Sequence, residues 1–429
     1  MTRSPRSDRP RAARPPGARD PYGLMPSGAP IAAILSVVGL LLVGVVTFAV
    51  ASGSIPLGGG SGTANGSGEP GRTDDPGVLK TATPSNEVIV PTQEPGLEIP
   101  GTIVYAKAGN IWLQADGKAT QLTNSGRDAQ PSFSNDGTAV FFVRTRRVDG
   151  AWSVDGVMRD YRLDVPAIMR VPSAGGEVTT IFDGLVDPPG RLKWMGFIQG
   201  PVVSPNGATI AMTSDLPDPT RSDVTLKLLN LKTSKITDPG LDQKAPLGHQ
   251  DPAWSPDGKR IAYVRADRDG AKGIPRIYIY TPANGKTRAV TATGYLHPAF
   301  SPDGRYLAAT KTSSFGTDVV ILDAATGAEL LKVSSDGDSW GPAWSPAGDQ
   351  VAFLHVSGQV VDLRLAQLEG SAPVWTVAKT MDLTSNAGLD SVSRPHWFVP
   401  ADQLPAATVP PATSPPATEA PAASASTTP

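Results

Sequence analysis

The stretch Asp251 to Arg265, DPAWSPDGKRIAYVR, contains a pattern that the chain repeats: Pro, any residue, an aromatic, then Ser-Pro-Asp-Gly. It returns as PAFSPDG at Pro298 and PAWSPAG at Pro342, and more loosely as PSFSNDG at Pro131 and PVVSPNG at Pro201. A truncated last copy, PHWF, begins at Pro395. Successive anchors lie 70, 51, 46, 44 and 53 residues apart. Self-similarity at about 40–50 residues marks architectures that stack one supersecondary unit on the next, because a single unit cannot bury its own apolar faces. That restricts the chain to a β-propeller or a related array.

Within the best copy the signals follow the order of a four-stranded unit. PAWS is a short apolar strand, a, and Ser255-Pro256-Asp257-Gly258 is a turn. Proline presets φ, Asp suits the next position, and Gly takes the left-handed one. RIAYVR and RIYIYT follow as strands b and c, apolar on both faces as in a sheet sandwiched between two others. Asn284-Gly285 is a hairpin signal, and TRAVT closes the unit as strand d. The last anchor has no b, c or d strand after it. TIVYA (102–106), NIWLQA (110–115) and ATQLT (119–123) precede the first anchor and lack an inner strand. Joining the two ends completes a sixth blade. The expected fold is all-β, a six-bladed propeller closed by pairing N-terminal strands with the C-terminal inner strand, so that no sheet edge is left open.

These PxWSPDGxxIAF-type runs, with an IY-containing strand and a closing LT-like strand after them, resemble the TolB-like, WD-type propeller repeat family over residues 101–399. The likeness is strong in units three to five and diluted in units one and two, where Asn135 and Asn206 interrupt the consensus. The same repeat occurs in the propellers of prolyl-oligopeptidase-type peptidases, so the resemblance implies the fold more firmly than the task. Those peptidases carry their triad in a separate large hydrolase domain. With 31 residues after Phe398, no such domain is expected downstream.

Residues 1–29 are Arg- and Pro-rich, with Arg3, Arg6, Arg9, Arg11, Arg14 and Arg19 against Asp8 and Asp20. Such a segment cannot bury a core and is expected to be a disordered cytoplasmic tail. Residues 30–51 hold the uncharged Ile31–Ala51, long enough to span a bilayer as a helix, and the flanking Arg cluster puts the N-terminus inside. A retained anchor or a signal cleaved after Ala51 both fit, and both place the propeller outside the cytoplasm. Residues 52–100 form a Gly/Ser- then Thr/Pro-rich linker with a coil reach of roughly 40 Å. Residues 400–429, Pro-, Ala- and Thr-rich, read as a second disordered tail that O-linked sugar would suit. The net charge of −2 argues against a nucleic-acid partner. The absence of cysteine excludes disulfides, thiolate metal sites and cysteine nucleophiles.

Catalytic motifs dissolve on inspection. Gly337-Asp338-Ser339-Trp340-Gly341 matches GxSxG, but that motif works on a strand–turn–helix elbow of an α/β fold, and here it precedes an inner strand. SNDGTAVF at Ser134 puts Gly directly after Asp, one residue short of the sialidase Asp-box spacing. The turn Asp (Asp136, Asp257, Asp303) gives way to Asn206 and Ala347 elsewhere, which suits a turn former rather than a shared catalytic acid. His249, His297, His355 and His396 fall near blade junctions and would need to converge to hold a metal. No metal and no cofactor is expected.

One periodic feature is chemical. Seven residues past each turn glycine stand Arg144, Ser214, Arg265, Lys311 and His355, all expected at one face of the ring. The d-to-a loops bring Asp128, Trp194, His249, Asp251, Tyr295, His297, Asp338, Trp340 and Arg394 to that face, and an excursion from Arg144 to Asp164 overhangs it. A rim of cations and aromatics suits an anionic glycan, a peptide carboxylate or an acidic protein loop. Pairing with Asp128, Asp251 and Asp338 would instead leave it inert. The expected function is a non-catalytic, membrane-presented binding scaffold of a bacterial envelope, its partner an envelope protein or anionic glycan. The alternative is a glycan-active enzyme with its site in the channel mouth, and a third reading is a sensor signalling through the Arg-rich tail.

Overall fold

A computed structural model describes residues 87–91, 99–189, 192–219, 223–241, 248–267 and 274–400. The apolar segment 31–51, both tails and most of the linker lie outside these residues. No helix among the described residues is long and apolar enough to cross a membrane.

Six four-stranded antiparallel sheets form the six blades. In order a to d, blade one is Asp128–Phe133, Ala139–Val154, Val157–Pro172 and Thr179–Asp183. Blade two is Ile198–Val203, Thr209–Ser214, Thr225–Asn230 and Ile236–Thr237. Blade three is His249–Trp254, Ile261–Asp267, Ile274–Thr281 and Lys286–Ala289. Blade four is Tyr295–Phe300, Tyr306–Ser313, Gly316–Asp323 and Glu329–Lys332. Blade five is Ser339–Trp344, Gln350–Ser357, Val360–Ser371 and Val374–Asp382. Blade six takes His396–Phe398 as its inner strand and Thr102–Lys107, Asn110–Ala115 and Lys118–Gln121 as the rest. The expected closure is present in the register Thr102↔Phe398, Ile103↔Trp397 and Val104↔His396.

The core is divided among the blade interfaces. Ala262, Val264, Ile277 and Ile279 of blade three meet Leu307, Ala309, Val320 and Leu322 of blade four. Across the closing seam, Val104, Ala106 and Ile111 of blade six meet Phe133, Val140, Phe142 and Ala167 of blade one. Strands b and c supply these residues from both faces, which is why they read as continuous apolar runs.

The repeated Ser-Pro-Asp-Gly is a locked turn. Ser255 Oγ donates to Asp257 Oδ1 at 2.6 Å, the Lys259 amide donates to the same oxygen at 3.1 Å, and Gly258 sits at φ +68°. These bonds hold the Asp257 carboxyl below the usual carboxylate range, the serine hydroxyl contributing most. Asn206 accepts the equivalent bond from Ser204 at 2.7 Å. Where Ala347 stands, Asp349 takes over, accepting from Ser345 at 3.0 Å.

Two features go beyond the repeat. The excursion after Arg144 is a two-stranded ribbon. Strands b and c of blade one stay paired from Ala139↔Pro172 out to Val154↔Val157. Asp155 and Gly156, at φ +52° and +77°, make its turn. Residues 185–195 add a small hairpin, Leu185–Val186 against Trp194–Met195, beside the ribbon's base. The other feature lies in the linker. Ile89 bridges to Ser385, and Val88 and Ile99 pack on the core between blades five and six.

Candidate functional site

The end of each blade carrying the b-to-c connections and d-to-a loops is called the mouth face; the Ser-Pro-Asp-Gly turns lie on the opposite one. Register puts the periodic residues at one level of the mouth, each facing the first residue of its strand a: Asp128↔Arg144, Ile198↔Ser214, His249↔Arg265, Tyr295↔Lys311 and Ser339↔His355. The sixth member is Lys107. Counting from a turn glycine misses it, because blade six has no such turn; laying TIVYAK over RIAYVR finds it.

The rim groups have partners within their own surroundings. Arg144 donates two bonds to the buried carboxylate of Asp128, at 2.6 and 2.9 Å. Lys311 binds Glu329 at 2.6 Å, which holds its ammonium pKa above the usual value. Arg265 donates to the Tyr278 hydroxyl at 2.8 Å and lies 4.2 Å from that ring's centre. Lys107 donates to the Glu87 carbonyl at 2.7 Å; burial lowers its pKa, with the charge of Asp362 opposing. Asp338 engages through its backbone, accepting from the Val356 amide at 3.0 Å. Trp340 donates its indole N–H to the Ser391 carbonyl at 2.9 Å.

The structure brings Asp251, His297 and Arg394 together elsewhere, on the ring axis. The residue before each anchor proline is Gln130, Gly200, Asp251, His297, Gly341 or Arg394. The first five have positive φ, and register shifts there mark a bulge in each strand a. Arg394 leaves blade six and crosses the axis. Its guanidinium donates to the Pro298 carbonyl at 3.0 Å and the Pro252 carbonyl at 3.3 Å, with Nε 4.0 Å from Asp251 Oδ1. Gly341 sits at φ +63°, and Arg394 Cγ passes within ordinary contact of where a Cβ there would lie, at 3.5 Å. His297 Nδ1 lies 3.0 Å from Thr310 Oγ1, which already accepts the Gly341 amide. The other ring nitrogen, Nε2, faces Asp251 Oδ2 at 3.7 Å. Burial lowers the His297 pKa, with Asp251 opposing and Arg394 reinforcing the fall. The result is a charge-compensated bar across the channel with one carboxylate, and the hydroxyl beside it, that of Thr310, is fully buried and already holds the Gly341 amide. A glycosidase-type pair needs two carboxyl groups.

The GxSxG serine does acquire a histidine and an aspartate, but in the wrong order. Ser339 Oγ lies 3.1 Å from His355 Nδ1, and Asp336 Oδ2 lies 3.3 Å from that same nitrogen. Ser339 also donates to Asp336 at 2.9 Å. A triad needs the imidazole between base partner and nucleophile, one on each nitrogen. Ser339 is moreover fully buried. The other histidines go separate ways: His249 Nδ1 accepts the Leu226 amide at 3.0 Å, and His396 Nδ1 accepts the Phe133 amide at 3.4 Å.

What sequence reasoning missed, Trp194 apart, is apolar. Among the described residues, Ile89, Val157, Met158, Phe197, Phe315 and Val392 join Trp194 as large, exposed side chains at the mouth end, against Val374 alone at the turn end. Phe315 is 93% exposed and Val392 70%. No period links them, because they sit in the ribbon, the small hairpin and loops outside the repeat.

Compared with known proteins, residues 192–374 match the family model of the TolB beta propeller domain. A search of curated proteins finds no match. Among solved structures, TolB from Acinetobacter baumannii is similar over 69% of this chain and 66% of its own, at 20% identity and a TM-score of 0.50. The chain thus spans just under two thirds of that protein. A chain of a nidogen/laminin complex is similar over 69% of this chain and 97% of its own, at 13% identity and a TM-score of 0.48. An oligogalacturonate lyase from Vibrio parahaemolyticus is similar over 62% and 91%, at 14% identity and a TM-score of 0.40. At such identities the likeness to TolB speaks for the fold.

Proposed function

We propose that this TolB-like propeller is a non-catalytic binding scaffold, presented from the membrane through Ile31–Ala51 on the extracytoplasmic side, and that its mouth face docks a protein partner of the envelope. The observation that carries the reading is that, apart from the ribbon tip, exposed large apolar side chains, Trp194, Phe197, Phe315 and Val392, lie at the mouth end. Surfaces of this kind, rimmed by polar groups, serve as interaction sites, and buried aromatic anchors carry most of an interface's energy. A protein loop is favoured over an anionic glycan because the rim cations already meet Asp128, Glu329 and carbonyl or hydroxyl oxygens. The axial bar of Arg394, Asp251 and His297 supports a floor for such a partner rather than a reaction centre.

The test compares full-length protein with its Phe315→Ala variant as bait for envelope extract, followed by binding curves for the captured protein. Truncating one exposed anchor should weaken binding about tenfold or more and leave thermal unfolding unchanged. Equal affinity of the two baits would move the site away from Phe315. Turnover of an envelope glycan by the parent would favour the enzyme reading instead.

A further inference from the structure

We propose that the ribbon of blade one rests its tip on the lipid surface, as a strut that holds the mouth face off the bilayer. The proposal rests on the reading of Ile31–Ala51 as a membrane span.

The ribbon is amphipathic by register. Val148↔Leu163, Gly150↔Tyr161, Trp152↔Arg159 and Val154↔Val157 are directly opposed, so they share one face. Arg147↔Asp164, Asp149↔Arg162, Ala151↔Asp160 and Ser153↔Met158 share the other. The polar face is laced by ion pairs, Arg162 to Asp149 at 2.8 Å and Arg147 to Asp164 at 3.7 Å. On the apolar face the Tyr161 ring lies over Gly150, where a Cβ would come within 2.4 Å of it. The Tyr161 hydroxyl accepts the Lys193 amide at 3.0 Å, so the hairpin of Leu185–Val186 and Trp194–Met195 backs the ribbon as far as the Gly150–Tyr161 pair. The tip has no such backing in register or hydrogen bonding, and there Val157 and Met158 are 60% and 64% exposed. Around the turn Asp155-Gly156 the tip carries Trp152, Val154, Val157, Met158 and Arg159, with Asp155 and Asp160 as its acids. Tryptophan, aliphatic side chains and an arginine settle at a bilayer interface while the acids stay in the aqueous layer. The indole sits at headgroup depth and the guanidinium reaches the phosphates.

The tether makes lipid the favoured occupant over a soluble protein. Glu87 and Ile89 are fixed to Lys107 and Ser385, both at the mouth end, so the linker joins the propeller on the face from which the ribbon projects. From Ser52 to Asn86 there are 35 residues, a contour of at most about 125 Å at ~3.6 Å per residue. The ribbon beyond Arg144 runs to Val154, about 30 Å at ~3.3 Å per residue. The ribbon is shorter than the tether's contour, so the tether permits the tip to reach the surface to which it leads. A tethered contact also works at a high effective concentration, which lets a small apolar tip suffice.

The chain has no cysteine, so Val157→Cys gives one unique attachment point for an environment-sensitive dye. Lys286→Cys, in the turn-face hairpin of blade three, is the control. Labelled full-length protein is reconstituted into phosphatidylethanolamine/phosphatidylglycerol vesicles carrying a headgroup-depth nitroxide lipid. The expected result is a blue-shifted emission quenched at least twofold at position 157, and neither effect at 286. Adding Trp152→Ser and Met158→Asp to the labelled ribbon should abolish both effects, which shows that the dye itself does not drive insertion. Protein that survives an alkaline carbonate wash with the vesicles, yet keeps water-like emission at 157, overturns the strut alone. Protein released by the wash overturns the membrane span and the strut with it. A shift at 157 that appears only on adding envelope extract assigns the tip to a protein and rejects lipid.

Discussion

At the scale of single residues, the axis of the ring is where acid should act first. His396 is held in an apolar setting against Phe133, with its Nδ1 accepting a backbone amide. Burial, reinforced by Arg394, lowers its pKa to about 4. Between about 6.5 and 4 the unfolded chain takes up a proton that the native state refuses, so stability falls as pH falls through that window and is unaffected above it. At ~1.4 kcal/mol per pKa unit the loss approaches about 3 kcal/mol. His297, lowered for the same leading reason, adds in the same direction. His396→Gln keeps an acceptor and cannot titrate; its melting temperature should drop less than the parent's between pH 7.5 and 4.5, and an equal drop would refute the assignment. The role of the turn aspartates was legible from Asn206 and Ala347 alone, since a turn lock tolerates a change of acceptor. The path of Arg394 was not legible. Its position at a blade junction suggested the rim, and only its bonds to the Pro298 and Pro252 carbonyls show that its side chain crosses the axis.

At the scale of elements, most strands could be read because both of their faces are buried and the turn chemistry punctuates them. The ribbon was readable only as an excursion, although Asp155-Gly156 between Val154 and Val157 is a hairpin signal of the same kind as Asn284-Gly285. The repeat count masked it by assigning the whole stretch to a loop. Because the ribbon's outer half lies beyond the blade core, it should be dispensable for folding. Replacing residues 149–162 by Asn-Gly joins the opposed pair Val148 and Leu163 through a two-residue turn. Thermal unfolding of that variant should stay within a few degrees of the parent. A collapse of cooperative melting would show the ribbon to be structural.

At the scale of the whole molecule, closure rests on three residues of inner strand. Trp397 is buried between blades five and six and donates its indole N–H to the Pro100 carbonyl at 2.8 Å. Trp397→Ala should cost about 3–5 kcal/mol, read in urea unfolding, because the void opens where the two chain ends meet. A loss below ~1 kcal/mol would mean that the seam is not a weak point. The closed ring was legible from orphan strands at both ends; the fixing of residues 87–91 to the mouth was not, because nothing repeats there. A ring held only by neighbour-to-neighbour packing behaves as a one-dimensional stack bent into a circle, in which any unit can loosen while the far side stays intact. Arg394 breaks that locality by tying blade six to blades three and four on the far side of the ring. A strain that opens the closing seam is thus carried straight across the diameter, as by a spoke in a wheel, and blades far apart in sequence loosen together or not at all.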